Sequence, residues 1–133
     1  YTREVVGLAV SRKHDRWLVT QALLDALRYH PRPFIIHSDH GSEYKSMDYQ
    51  GLLSELGIKA SMAAKGCPWE NGYQESFYSQ FKIELGDPAY FLSLGELTAG
   101  IYRQIWYYNN ERIHTSLKMS PIQFVKSEKV EYY

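Results

Sequence analysis

The feature that most restricts the fold is a short apolar run ending in a carboxylate, Pro33-Phe34-Ile35-Ile36-His37-Ser38-Asp39. It reads as a buried strand that delivers Asp39 at its carboxyl end. Pro31 and Pro33 stop the helix expected before it, over Asp15–Tyr29, because proline lacks an amide donor and restricts the residue ahead of it. That helix carries Leu18, Ala22, Ala26 and Tyr29 on one face, broadened by Leu23 and Leu27. Asp15 is its natural cap. At the start of the chain, Val5, Val6, Leu8, Ala9 and Val10 form a β-branched, nearly continuous apolar run, which predicts another strand.

Downstream, the same alternation continues. A loop around Gly41 precedes Ser46, which can cap a helix through Leu56 with Leu52, Leu53 and Leu56 inward and Gly57 as its stop. Ile58–Met62 is a short predicted strand, and Ala63–Glu70, with Gly66 and Pro68, a loop. Asn71 is placed to cap a helix to about Leu85. A further long helix is marked by Leu94, Leu97, Ile101, Ile105 and Tyr108, and Ser120-Pro121 starts a short terminal one. Strands alternating with helices predict one α/β layered domain over 1–133. The chain has 133 residues, enough for a real core. It shows no repeats, low-complexity tracts or linkers.

The second informative carboxylate is Glu75, about one turn into the helix after Asn71. Two carboxylates on separate rigid elements can share a hard divalent cation, and paired Mg²⁺ ions activate an oxygen for in-line attack on phosphate. Phe77 and Phe81 occupy another face of that helix and are expected to pack on the sheet. Lys82 shares the Glu75 face, where a cation can take a phosphate oxygen. Gly41 permits a tight loop that leaves Asp39 accessible. His37, Ser38 and His40 either orient that loop or contact substrate. Glu43 and Glu84 read as solvated or secondary. A zinc site at His37, His40 and Cys67 has acceptable His-x-x-His spacing but lacks a further spaced ligand.

The segments HSDHGSEY, PWENGYQESFYSQFK and YYNNERIHTSLKMSP are similar to the integrase catalytic core of insertion-sequence transposases, a family related to retroviral integrases. The resemblance covers essentially the whole chain. It implies an RNase H-like mixed sheet flanked by helices, here lacking the first two strands. An Asp-Asp-Glu triad would hold two Mg²⁺ or Mn²⁺ ions for DNA cleavage and strand transfer. This chain matches the second Asp at Asp39 and the Glu at Glu75, and it lacks the first Asp. It is therefore expected to be a partial core that is inactive alone and is poorly stable, rearranged or paired with another copy.

The resemblance further implies DNA contact by Lys82, and Asn71 as a residue that positions Glu75. Lys65 lies in the loop before Asn71, which could touch substrate. Arg112 and His114 belong to the YN-x-x-R-x-H signature and contact DNA or organise the site. Partners implied are transposon-end and target DNA and further copies of the chain, with no membrane and no small-molecule substrate. A non-catalytic transposase remnant and an RNase H-like nuclease are the alternative readings.

Composition sets the remaining bounds. Fifteen Lys and Arg balance fifteen Asp and Glu, so DNA binding has to come from local clusters or from segments outside these residues. No apolar run approaches the length of a membrane span, and the N-terminus has no signal-peptide pattern. The single Cys67 cannot form an internal disulfide, in keeping with a reducing cytoplasm. The high aromatic content reads first as core packing.

Overall fold

The computed structural model describes residues 1–128; the last five residues of the expected domain, 129–133, lie outside the described part. Among the described residues, contacts gather the chain into two compact units, Val6–Tyr73 in one, and Tyr1–Val5 with Gln74–Glu128 in the other.

In the first unit, helix α1 spans Arg16–Tyr29 and begins where the sequence predicts. The Asp15 carboxylate accepts from the amides of Trp17 and Leu18 at 3.0 and 3.3 Å, satisfying two of the donors a helix start leaves open. Strand β1 (Ile35–Ser38) follows, then the single turn α2 (Ser42–Lys45), helix α3 (Met47–Glu55) and strand β2 (Lys59–Met62). Ser46 Oγ caps α3 by accepting from the Tyr49 amide. At the far end of α3, Arg32 Nη1 donates to the carbonyls of Leu56 and Gly57 at 2.7 and 2.8 Å, which covers acceptors the last turn would leave bare.

The two strands pair in parallel, with Ile35 opposite Lys59 and Ser38 opposite Met62. Parallel neighbours need a crossover connection, and α2 and α3 supply it. Leu23, Tyr49, Leu53 and Ile58 form the buried centre. Around it lie Val19, Leu27, Ile36, Tyr44, Leu52 and Leu56. The inward stripe of α1 is thus Val19-Leu23-Leu27, four residues apart, and not the face ending at Tyr29, whose ring is exposed.

Two strand expectations are corrected. β1 is not buried along its length: Ile35 and His37 are exposed and only Ser38 is enclosed. A sheet of two strands leaves β1 with one neighbour, so part of it stays open to solvent. Val5–Val10 joins no strand ladder. Two of its amides, those of Val5 and Leu8, bond to side chains instead, since a backbone amide removed from water must find some partner. Leu8 donates its amide to the Asp25 carboxylate at 3.0 Å. Gly7 lies so close to α1 that a Cβ there would come within 2.7 Å of Ala26 Cβ and closer still to the Ala22 carbonyl, so no side chain fits at that position.

In the second unit, α4 (Gly72–Leu85), α5 (Leu94–Asn110) and α6 (Pro121–Glu128) are the helices, α4 having started two residues earlier. Ser93 caps α5 by accepting from the Glu96 amide, and the Glu96 carboxylate accepts from the Leu92 amide in return. Ser120, fully buried, and Gln123 make the same reciprocal exchange at the start of α6. Phe77 meets Tyr108 of α5 edge-on at 4.9 Å and Phe81 at 5.8 Å. Phe77 therefore packs on a helix, where the sequence suggested the sheet. The Asn109 side-chain amide donates to the Val5 carbonyl and accepts from the Val5 amide, both at 2.9 Å. This is the two-bond exchange a neighbouring strand would make.

Two outcomes are expected. Leu53→Ala should lower the stability of the chain by about 2–5 kcal/mol in urea unfolding, through lost burial and the cavity left behind. Asn109→Ala should cost about 1–3 kcal/mol, because it removes both partners of Val5. A variant as stable as the parent in that assay would show that the amide bridge contributes nothing.

Candidate functional site

Asp39 directly follows β1, at the carboxyl end of a parallel strand, the edge of such sheets where ligands bind. Its carboxylate is exposed, and Oδ1 accepts from the Gly41 amide at 2.8 Å. That bond fixes one oxygen and tightens the turn. Ser38 is buried and its hydroxyl donates to the Asp39 carbonyl at 3.0 Å, holding the backbone beneath the carboxylate. His37 Nδ1 and Ser61 Oγ lie 3.0 Å apart across the paired strands, so this imidazole is tied to the sheet. His40 is exposed. The zinc reading finds no support: no group of three or more His, Cys, Asp or Glu that could hold a metal occurs among the described residues.

Glu43 is not the solvated residue expected. Its side chain is only 9% exposed, lies against Gly41, and reaches His14 Nε2 at 3.1 Å. The pair braces the loop that follows Asp39 against the loop that precedes α1. Lys65 is exposed in the turn after β2. That loop closes on itself, with the Ala64 amide donating to Glu70 Oε2 at 2.7 Å. Asn71 ends the 3₁₀ turn Pro68–Asn71, which runs straight into α4, so the helix begins through a tighter turn and not through an asparagine cap.

Glu75 stands in the first turn of α4 and is exposed, as is Lys82. A carboxylate in the first turn and a cation in the last are the positions the helix dipole favours. Asp39 belongs to the first unit, Glu75 and Lys82 to the second.

Glu84 is the residue whose importance sequence reasoning missed. Oε1 accepts from Arg112 Nε at 2.7 Å and from Gln80 at 3.2 Å, and Oε2 accepts from Gln104 at 2.7 Å. The side chains of Arg112 and Glu84 are 25% and 24% exposed, so the pair is shielded from full solvent screening. Arg112 also lies over the Tyr108 ring at 5.9 Å. Only the arginine of the signature hinted at a carboxylate partner, since an arginine fork seeks one. His114 forms an isolated bridge with Met119, and its Nδ1 lies 3.0 Å from Ser116 Oγ. Asn109, Arg112 and His114 are thus engaged in bonds within the fold.

The comparisons decide the family. Residues 1–68 match the integrase core domain family rve, and residues 56–121 match a second integrase core domain family, rve_3. The chain belongs to the integrase core family. It is 39% identical over 130 residues to the transposase for insertion sequence element IS904 of Lactococcus lactis, covering 95% of this chain and 51% of that protein. It is 36% identical over 128 residues to transposase InsF for insertion sequence IS3A of Escherichia coli, covering 93% and 44%. The chain therefore spans about half the length of these curated relatives. Among solved structures, the HTLV-2 integrase catalytic core domain in complex with magnesium superposes with a TM-score of 0.69 at 20% identity, over 89% of this chain and 74% of that one. The catalytic core domain of BIV integrase gives 0.69 at 20%, over 94% and 80%. At such identity the likeness establishes the RNase H-like fold alone, which the sequence resemblance predicted. No helix of the integrase core is long and apolar enough to cross a membrane, among the described residues.

Burial, then the positive charges of Arg3 and Arg112, hold the His114 imidazole below its ordinary value of 6.5. Its proton is bound less readily in the folded state, so the stability it protects is complete above pH 6.5 and is lost as pH falls through the folded-state value. The unfolding midpoint should drop between about pH 7.5 and about pH 5.5, and His114→Gln should remove part of that drop. Identical profiles for parent and variant would contradict this.

Proposed function

We propose that this integrase core takes part in DNA cleavage and strand transfer within a transposase, with Asp39 and Glu75 as two carboxylate ligands of Mg²⁺ or Mn²⁺. The observation that carries the reading is the likeness to insertion-sequence transposases along 95% of the chain. The local chemistry supports it. Hard, exposed carboxylate oxygens suit a hard divalent ion, and Gly41 holds one Asp39 oxygen while leaving the carboxylate accessible.

A divalent ion bound there supplies Lewis-acid stabilisation of charge on the phosphate and lowers the pKa of an attacking oxygen. The full site in such transposases takes two ions. This chain contributes two of the triad carboxylates and the framework that orients them: Ser38 and Gly41 for Asp39, the first turn of α4 for Glu75. Lys82 and Lys65 are proposed to meet phosphate oxygens as exposed cations. Arg112 and His114 serve as organisers through Glu84 and the bridge to Met119, and not as direct DNA contacts. The DNA partners are transposon ends and target, and the working form pairs copies of the chain.

Titrating Mn²⁺ into the chain, followed by calorimetry or by paramagnetic relaxation of water protons, should reveal weak binding. Asp39→Asn and Glu75→Gln should each weaken it by at least roughly tenfold, since even groups behind a ligand cost that much. Equal Mn²⁺ affinity in the parent and both variants would remove these carboxylates from the site.

A further inference from the structure

The loop ahead of α1 reads Ser11-Arg12-Lys13-His14-Asp15-Arg16-Trp17 and concentrates cations in a chain whose formal charge is zero. Two of its charges are already committed. Asp15 caps α1, and Arg16 Nε pairs with Asp48 at 2.8 Å. Arg12 and Lys13 are exposed and form no ion pair with another described residue. The loop is also held in place. Ser11 Oγ accepts from the Lys13 amide at 3.1 Å, and His14 Nε2 reaches the enclosed Glu43 carboxylate at 3.1 Å. Glu43 in turn lies against Gly41, whose amide binds Asp39. A short series of contacts thus fastens Arg12 and Lys13 beside the Asp39 loop. An ordinary solvated charge run has no such anchorage. Trp17, more than half exposed with the Arg16 guanidinium 5.5 Å from its ring centre, extends the strip.

We propose that Arg12 and Lys13 form a phosphate-contact strip for duplex DNA, held next to Asp39 by the His14–Glu43 pair. The proposal rests on the reading of this core as acting on DNA. Arg12 would grip a phosphate through its planar fork and Lys13 as a point charge. Such contacts carry no sequence information and position the duplex.

The test is fluorescence anisotropy of a labelled DNA duplex titrated with the chain across a salt series. Each phosphate contact contributes about 0.9 to the slope of log affinity against log salt. Arg12→Ala/Lys13→Ala should reduce that slope by about two and weaken binding roughly tenfold at low salt, with an unchanged far-ultraviolet circular dichroism spectrum. The charge-conserving pair Arg12→Lys/Lys13→Arg should keep the slope. Should the double variant fold poorly, Arg12→Ala and Lys13→Ala singly should each remove about one. If the parent binds and the slope survives loss of both cations, while Lys82→Ala lowers it, the strip is wrong and the DNA reading stands. A parent that shows no salt-dependent binding overturns both.

Discussion

Parallel pairing of Ile35–Ser38 with Lys59–Met62 governs the arrangement around Asp39. Strands that run the same way cannot be joined by a tight turn, so the chain must leave the end of one and return to the start of the other. It does so through α2 and α3, and the return buries Leu53 and Tyr49 against Leu23 of α1. The turn that leaves β1 carries Asp39, Gly41 and Glu43. The carboxylate is therefore set at the strand end by the same crossover that makes the core. Packing and chemistry share one connection.

The second unit is held by polar ties of long sequence separation. Asn109 gives Val5 the two bonds of a missing strand neighbour, and Arg112 reaches back to Glu84. Glu84 gathers Gln80, Gln104 and Arg112 around one carboxylate, joining the last turns of α4 to α5 and to the residues after it. Asn109, Arg112 and His114 of the motif each make bonds within this unit. A charged group partly shielded from water gains more from a fixed partner than a fully solvated one does.

The formal net charge is zero, yet each unit presents charge locally: Arg12 and Lys13 in the loop before α1 and Asp39 after β1 in the first, Glu75 and Lys82 on α4 in the second, all of them exposed. A total of zero therefore says little about what either unit can bind.

Much was legible in the sequence because it depends on neighbours along the chain. Asp15, Ser46 and Ser120 mark helix starts through bonds spanning two or three residues, and those elements stand where they were expected. The family likeness and the exposed Asp39 after a short strand were legible for the same reason. What depends on distant residues was not. Val5–Val10 has the composition of a strand, yet strand character requires a ladder partner, and Asn109 and Asp25 take its amides instead. Glu84 and Glu43 look like surface acids until folding sets Arg112 and His14 beside them. The sequence by itself determined where helices begin and which carboxylates could serve phosphate chemistry. Only the tertiary structure decided which polar groups are consumed by the fold, because a hydrogen bond between residues a hundred positions apart leaves no local trace.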